Sequence, residues 1–297
     1  MMGAMRPPLV RLHGLFPNQE VYARCEFLAP GGSFKIRGAN HLFDFLRRQG
    51  GPYQLVVPSM GNTALGVAVG AKAAGFLMTG VVPRSISRAK DEKLTSLGVE
   101  LIKIDGGGDD LLRSAMQIAS ERGAYFVHPH LDPNWTDGYQ SMAAEILDAV
   151  PGCRTLVVPI GGGGLLLGLL AFLRQRGLSV RLVGCEPYNF PTYAPFTHKR
   201  VPTIADGLLL ESPHPRVAAA IAEQVIDVML AREEEIRQAL RGLYERQGLV
   251  VEPSSAITLA CVRNASPALE EPICAILTGE NITRQEHGRL IEEAAPW

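Results

Sequence analysis

The stretch 155-TLVVPIGGGGLLLGLLAFL-173 decides the fold class. Thr155 to Pro159 is a short apolar run, and it reads as a strand buried on both faces. Gly161 to Gly164 follow, with no side chains to pack and a high entropic cost of ordering. A close backbone approach to a ligand accounts for such a loop. Leu165 to Gln175 then reads as a helix, so the loop sits at a helix N-terminus. Unpaired N–H groups and the helix dipole favour a small anion there, phosphate above all. No Lys-Ser or Lys-Thr follows, so this is not a Walker loop, and it is not a G-x-G-x-x-G site with an acidic partner.

The same strand–loop–helix rhythm continues outward in both directions. Leu55 to Pro58 is a short apolar run, followed by a helical pattern with Leu65, Ala68 and Ala71 three apart. FLMTGVV at 76–82 reads as a strand. Ser87 to Leu97 reads as a helix that Gly98 stops, and VELIKI at 99–104 as the next strand. Asp109 or Asp110 is expected to cap a helix that turns Leu112, Ala115 and Ala119 inward. Tyr125 to Val127 is a further short strand. Beyond a seam near 130–135, residues 136–149 form an amphipathic helix and VRLVG at 180–184 a strand. The Pro-rich stretch 187–215 reads as loops, 232–246 as a helix and PICAIL at 272–277 as a last strand. This alternation predicts an α/β protein with two open, twisted, mainly parallel sheets flanked by helices.

At 297 residues, 46% of them apolar, the chain can fill two cores. A formal net charge of -1 offers no basic field for nucleic acid and no polybasic patch for a membrane. The longest strongly apolar stretch, 165–173, is too short to cross a bilayer, and the first residues lack a secretory apolar core. Cys25, Cys153, Cys185, Cys261 and Cys274 are odd in number and widely spaced, as buried free thiols in a reducing compartment would be. A soluble cytoplasmic protein is the expectation.

Lysine is scarce, six against 23 arginines, and Lys35 lies in 30-PGGSFKIRG-38. The glycines on either side let the backbone turn sharply, and an amine so placed can act as a nucleophile. Taken alone, a solvated surface lysine is the commoner outcome. Ser59-Met60-Gly61-Asn62-Thr63 joins a strand to a helix and is either an ordinary capped turn or a receiver for a carboxylate or phosphate. His128 and His130 lie in FVHPHLDP without a further Cys or His close by, which favours loop packing over a metal pair.

Taken together the motifs resemble the fold type II family of pyridoxal phosphate enzymes, the tryptophan-synthase β-like group. Within that group the serine/threonine dehydratases and serine racemases are the nearest match. The carriers are VYARCEFLAPGGSFKIRGA at 21–39, SMGNTALGVA at 59–68, VPIGGGGLLLG at 158–168, VGCEP at 183–187, TIADGL at 203–208, VEPSSA at 251–256 and LTGEN at 277–281. They occur in family order along nearly the whole chain. The resemblance implies pyridoxal 5'-phosphate as cofactor and Lys35 as the catalytic residue that carries it covalently. Phe34 packs near the ring, and Gly161, Gly162, Gly163 and Gly164 hold the phosphate. Asn62 donates to the phenolic oxygen, and Thr278 faces the pyridine nitrogen. Ser59, Gly61 and Thr63 receive the substrate carboxylate. A large cofactor-binding domain of 1–39 and 135–297, with a small domain of 40–134, completes the implied plan.

Several residues depart from the family pattern. Met60, a substrate-side position, replaces the serine that moves a proton in racemases, and methionine has no proton to move. Thr63 stands where dehydratases commonly carry histidine, as in the cysteine and threonine synthase branches. Tyr139 alters a glycine-rich family segment beside the substrate. Glu186, Phe190 and Thr192 align with a divalent-metal site of some relatives, but Thr192 replaces an aspartate. Glu186 alone is a weak metal candidate, and no metal is expected. The implied activity is dehydration and deamination of L-serine or L-threonine to a 2-oxo acid and ammonia. β-Replacement or threonine-synthase-like chemistry is the alternative, and racemisation comes third. The expected partners are a small amino acid substrate and a second copy in a homodimer, with no nucleic acid and no membrane.

Overall fold

The computed structural model describes residues 6–59, 61–128, 132–223, 226–265 and 269–297. The chain divides into two compact units, Met1–Ala29 with Gln140–Trp297, and Pro30–Tyr139. Residues 30–39 and 135–139 thus group with the second unit. The strands in chain order are β1 (Leu9–Arg11), β2 (Val21–Cys25), β3 (Gln54–Pro58), β4 (Leu77–Pro83), β5 (Glu100–Ile104), β6 (Tyr125–Phe126), β7 (Thr155–Pro159), β8 (Arg181–Pro187), β9 (Ile226–Ala231) and β10 (Ile273–Leu277). The helices are α1 (Lys35–Arg48), α2 (Asn62–Ala74), α3 (Arg88–Ser96), α4 (Gly108–Arg122), α5 (Pro133–Thr136), α6 (Gln140–Ala149), α7 (Gly164–Arg176), α8 (Pro215–Ala222), α9 (Glu233–Gln247), α10 (Pro253–Ala265) and α11 (Arg284–Glu292).

The first unit holds a sheet in the order β1-β2-β10-β7-β8-β9, parallel except for β1. The second holds the parallel sheet β5-β4-β3-β6. β7 and β10 are buried along their whole length, which is why TLVVP and ICAIL read as unbroken apolar runs. The edge strand β5 instead exposes Glu100 and Lys103. Because β7, β8 and β10 run parallel, Gly161, Glu186 and Thr278 lie at the carboxyl edge of one sheet, where open α/β sheets bind ligands. Among the described residues no helix is long and apolar enough to cross a membrane. The five cysteines are buried and unbridged, and burial pushes the Cys25 thiol up to about 12 and that of Cys153 to about 11.

Two expected boundaries shift for local reasons. α4 starts at Gly108, and Asp110 sits inside its first turn, accepting the Gly107 N–H at 3.0 Å; neither aspartate is the N-cap. The helix expected over 136–149 begins at Gln140. The short helix α5, capped by Asp132 on the Asn134 N–H at 2.9 Å, and a tighter turn at 137–139 precede it.

Candidate active site

In the second unit, Gly31 and Gly32 take φ of 84° and 69°, a double left-handed turn that glycine accepts without strain. It leads Ser33 and Phe34 into the interior and starts α1 at Lys35. Lys35 is therefore a first-turn helical residue, and the glycine after it, Gly38, lies within the helix under Trp135. A Cβ on Gly38 would stand 2.7 Å from that indole. α2 crosses α1 with Gly66 against Lys35: a Cβ on residue 66 would lie 2.7 Å from Lys35 Cβ and 3.1 Å from its carbonyl carbon. The half-buried Lys35 places Nζ 4.8 Å from the centroid of the Phe34 ring. Phe34 packs on Tyr139 at 5.0 Å between centroids, and Trp135 meets Tyr139 edge-on at 6.5 Å.

Tyr139 is fully buried, and its hydroxyl has no hydrogen-bond partner among the described residues. The same holds for Ser33 Oγ and Trp135 Nε1. Burial pushes the Tyr139 phenol well above its ordinary value; the nearby Trp135 N–H opposes part of the rise but stays short of hydrogen-bond geometry. Ser59 Oγ, just after β3, accepts the N–H groups of Gly61 at 3.2 Å and Ala64 at 3.3 Å, so this hydroxyl caps α2. Its proton remains to be donated elsewhere. Asn62 and Thr63 form the first turn of α2, with Thr63 buried. Met60 and His130 lie outside the described residues. His128 stands edge-on to Phe126 at 5.9 Å, a packing contact.

In the first unit, β7 runs into the four-glycine loop. Gly161 lies against the loop carrying Gly207, whose carbonyl oxygen would be 3.2 Å from a Cβ at 161. Gly163 has φ of 78° and forms the N-cap of α7; a Cβ there would clash with Val217 Cγ2. α3, α8 and α11 are capped by the side chains of Ser87, His214 and Thr283, whereas the N-cap of α7 has none. The first-turn N–H groups of α7 thus open from a loop without side chains, the arrangement that suits a phosphate group.

Thr278 follows β10, is 4% exposed, and places Oγ1 3.0 Å from Ser255 Oγ on α10. Glu186, 1% exposed at the end of β8, accepts the N–H groups of Thr192 at 3.0 Å, Tyr193 at 3.1 Å and Ala194 at 2.9 Å. Burial raises the carboxyl above the ordinary glutamate range; those three N–H groups and Arg200 oppose the rise. Both Glu186 oxygens are occupied in tying down the following loop. Cys185 beside it is fully buried, and burial holds it as a thiol. Gly66, Trp135 and Ser255 were not candidates from sequence: Gly66 and Trp135 act through packing, and Ser255 is one of two adjacent serines.

A family model described as pyridoxal-phosphate dependent enzyme matches residues 2–279. An L-threonine ammonia-lyase of Thermotoga maritima is 31% identical over 281 residues, which is 92% of this chain and 70% of that protein. One from Geobacter sulfurreducens is 34% identical over 271 residues, 88% of this chain and 67% of its own length. The solved structure of maize serine racemase superposes with a TM-score of 0.84 at 27% identity, covering 97% of this chain and 93% of that one.

Proposed function

The chain belongs to the pyridoxal-phosphate dependent enzyme family, and on that footing we propose the following reading of its site. The reaction is dehydration and deamination of a small hydroxy amino acid, with L-threonine or L-serine as substrate. The single observation that carries the reading is Lys35, half-buried at the head of α1 with its stem pinned against Gly66. The residues present fit the cofactor. The α7 N-terminus behind the glycine loop suits its phosphate, and the buried neutral hydroxyl of Thr278 suits its ring nitrogen.

Pyridoxal phosphate, when bound, draws electrons from the substrate α-carbon and so makes its proton removable. Lys35 Nζ would hold the cofactor covalently, and its amine, when free, would be the base at the substrate α-carbon. The freed amine takes the α-proton and returns a proton to the departing β-hydroxyl. Water leaves, and hydrolysis of the released enamine uses one water to give the 2-oxo acid and ammonia. Asn62 would donate to the cofactor's phenolic oxygen. Ser59, whose hydroxyl proton is left over from capping α2, receives the substrate carboxylate with Gly61 and Thr63. Tyr139 closes the substrate side by packing on Phe34. The buried, unbridged thiols support a cytoplasmic location, and a net charge of -1 leaves two copies free to associate as a homodimer.

The test supplies D- and L-serine and D- and L-threonine singly, reading 2-oxo acid, ammonia and the enantiomer of recovered substrate. Equal amounts of 2-oxo acid and ammonia from an L-substrate, with little enantiomer formed, are expected. A requirement for an added nucleophile or a phosphorylated substrate would select β-replacement or threonine-synthase chemistry instead.

A further inference from the structure

We propose that Ser255 is a positioning residue for the cofactor: its hydroxyl fixes the direction of the Thr278 hydroxyl and of its proton. The inference rests on the reading that Thr278 faces the ring nitrogen. Ser255 is fully buried on α10, and three groups surround its Oγ. Gly279 N–H donates to it at 2.7 Å, the Gly279 carbonyl lies at 2.8 Å, and Thr278 Oγ1 at 3.0 Å. An N–H can only donate, so it takes one Ser255 lone pair. One proton and one lone pair remain for the other two groups.

Two arrangements satisfy that count. In the first, Ser255 donates to the Gly279 carbonyl and accepts the Thr278 proton, so Thr278 turns a lone pair outward. In the second, Ser255 donates to Thr278, and the Thr278 proton points outward. The Gly279 carbonyl already accepts the Glu252 N–H at 3.1 Å, so it does not depend on Ser255. Neither hydroxyl carries a charge that would hold a proton on the ring. A neutral ring nitrogen is an acceptor and selects the second arrangement. Donation by Ser255 polarises the Thr278 hydroxyl and makes it a stronger donor. The β-branched Thr278 side chain has few rotamers, so one fixed partner aims it.

The experiment uses the cofactor-loaded protein with Ser255→Ala, Thr278→Val and the double variant. It reads the absorption band of the bound cofactor and the cofactor Kd. Thr278→Val should shift the band and weaken binding about three- to tenfold, the value of one hydrogen bond. Ser255→Ala should shift the band in the same sense with a smaller loss, and should add nothing in the Thr278→Val background. An unshifted band in Ser255→Ala, or losses that add in the double variant, would make Ser255 a structural residue and overturn the proposal while leaving Thr278 in place. An unchanged Thr278→Val would remove the reading of Thr278 itself and this inference with it. If Ser255→Ala does not fold, Ser255→Cys, with a weaker hydrogen-bonding group, should give an intermediate shift. An unshifted band in that variant refutes the proposal.

Discussion

Replacing Gly66 by alanine should disable the lysine while leaving most of the fold intact. In an ordinary helix interior Gly→Ala stabilises by about 0.5–1 kcal/mol, so any loss must come from the new contact. The added Cβ would lie 2.7 Å from Lys35 Cβ, 3.1 Å from Lys35 C and 3.2 Å from Ile36 N. Relaxed carbon–carbon contacts sit near ~3.6 Å, so the first falls short by roughly 0.9 Å. Two of the three opposing atoms are backbone and cannot rotate away. Either α2 withdraws or the head of α1 moves, and a displacement approaching 1 Å at a reacting group costs up to about 100-fold in rate. Overpacking costs about 1–3 kcal/mol, partly offset by the helix gain. Gly70→Ala is the control, because its Cβ would meet Phe43 Cε2 at 2.6 Å and Ile36 Cδ1 at 3.1 Å, the ends of side chains that can turn. The assay measures 2-oxo acid release, urea midpoints, and the fraction of cofactor fixed on Lys35 by borohydride and peptide mapping. Gly66→Ala should be folded, poorly labelled and slow; Gly70→Ala should lose stability but keep activity per folded molecule. Full activity in Gly66→Ala, or equal inactivity in folded Gly70→Ala, would refute the pinning of Lys35.

Gly162→Val should lower cofactor affinity at least tenfold by placing a branched side chain among the N–H groups at the head of α7, as equilibrium dialysis with pyridoxal phosphate would show; unchanged affinity gives the loop another role. Glu186 titrates in the folded protein above its ordinary 4.5, so the native state holds that proton more tightly than the unfolded chain does. Its contribution is therefore complete below the ordinary value and is lost as pH rises through the raised one. The stability of the wild type relative to Glu186→Gln should fall as pH climbs upward from that value, and a difference that stays flat across the range counts against the burial argument.

The parts of the fold that could be read in the sequence are those where periodicity and burial agree. TLVVP and the ICAIL of PICAIL are strands buried on both faces, and an uninterrupted apolar run has no other short explanation. α10 was invisible for the same reason in reverse. Residues Pro253 to Val262 are buried all round, so no polar face marks a helical period. α1 does carry that period, in Ile36, Ala39, Leu42, Phe43 and Leu46, but the glycines flanking Lys35 read as a turn. The turn is real and ends one step earlier, at Gly32. Within the candidate site, the residues proposed to meet a ligand are marked by type: a lysine in a lysine-poor chain, glycines in a row. Residues that hold those in place are not. Ser254 and Ser255 look alike in VEPSSA, yet successive positions on a helix point about 100° apart. Ser254 Oγ accepts the Gly207 N–H at 3.1 Å, and the Gly207 carbonyl backs Gly161. Ser255 Oγ meets Thr278 and Gly279 across 23 and 24 residues of sequence. One turn of α10 thus supports the four-glycine loop with one serine and the Thr278 hydroxyl with the next. These contacts belong to the packing of α10 against the sheet, and no spacing along the chain encodes them.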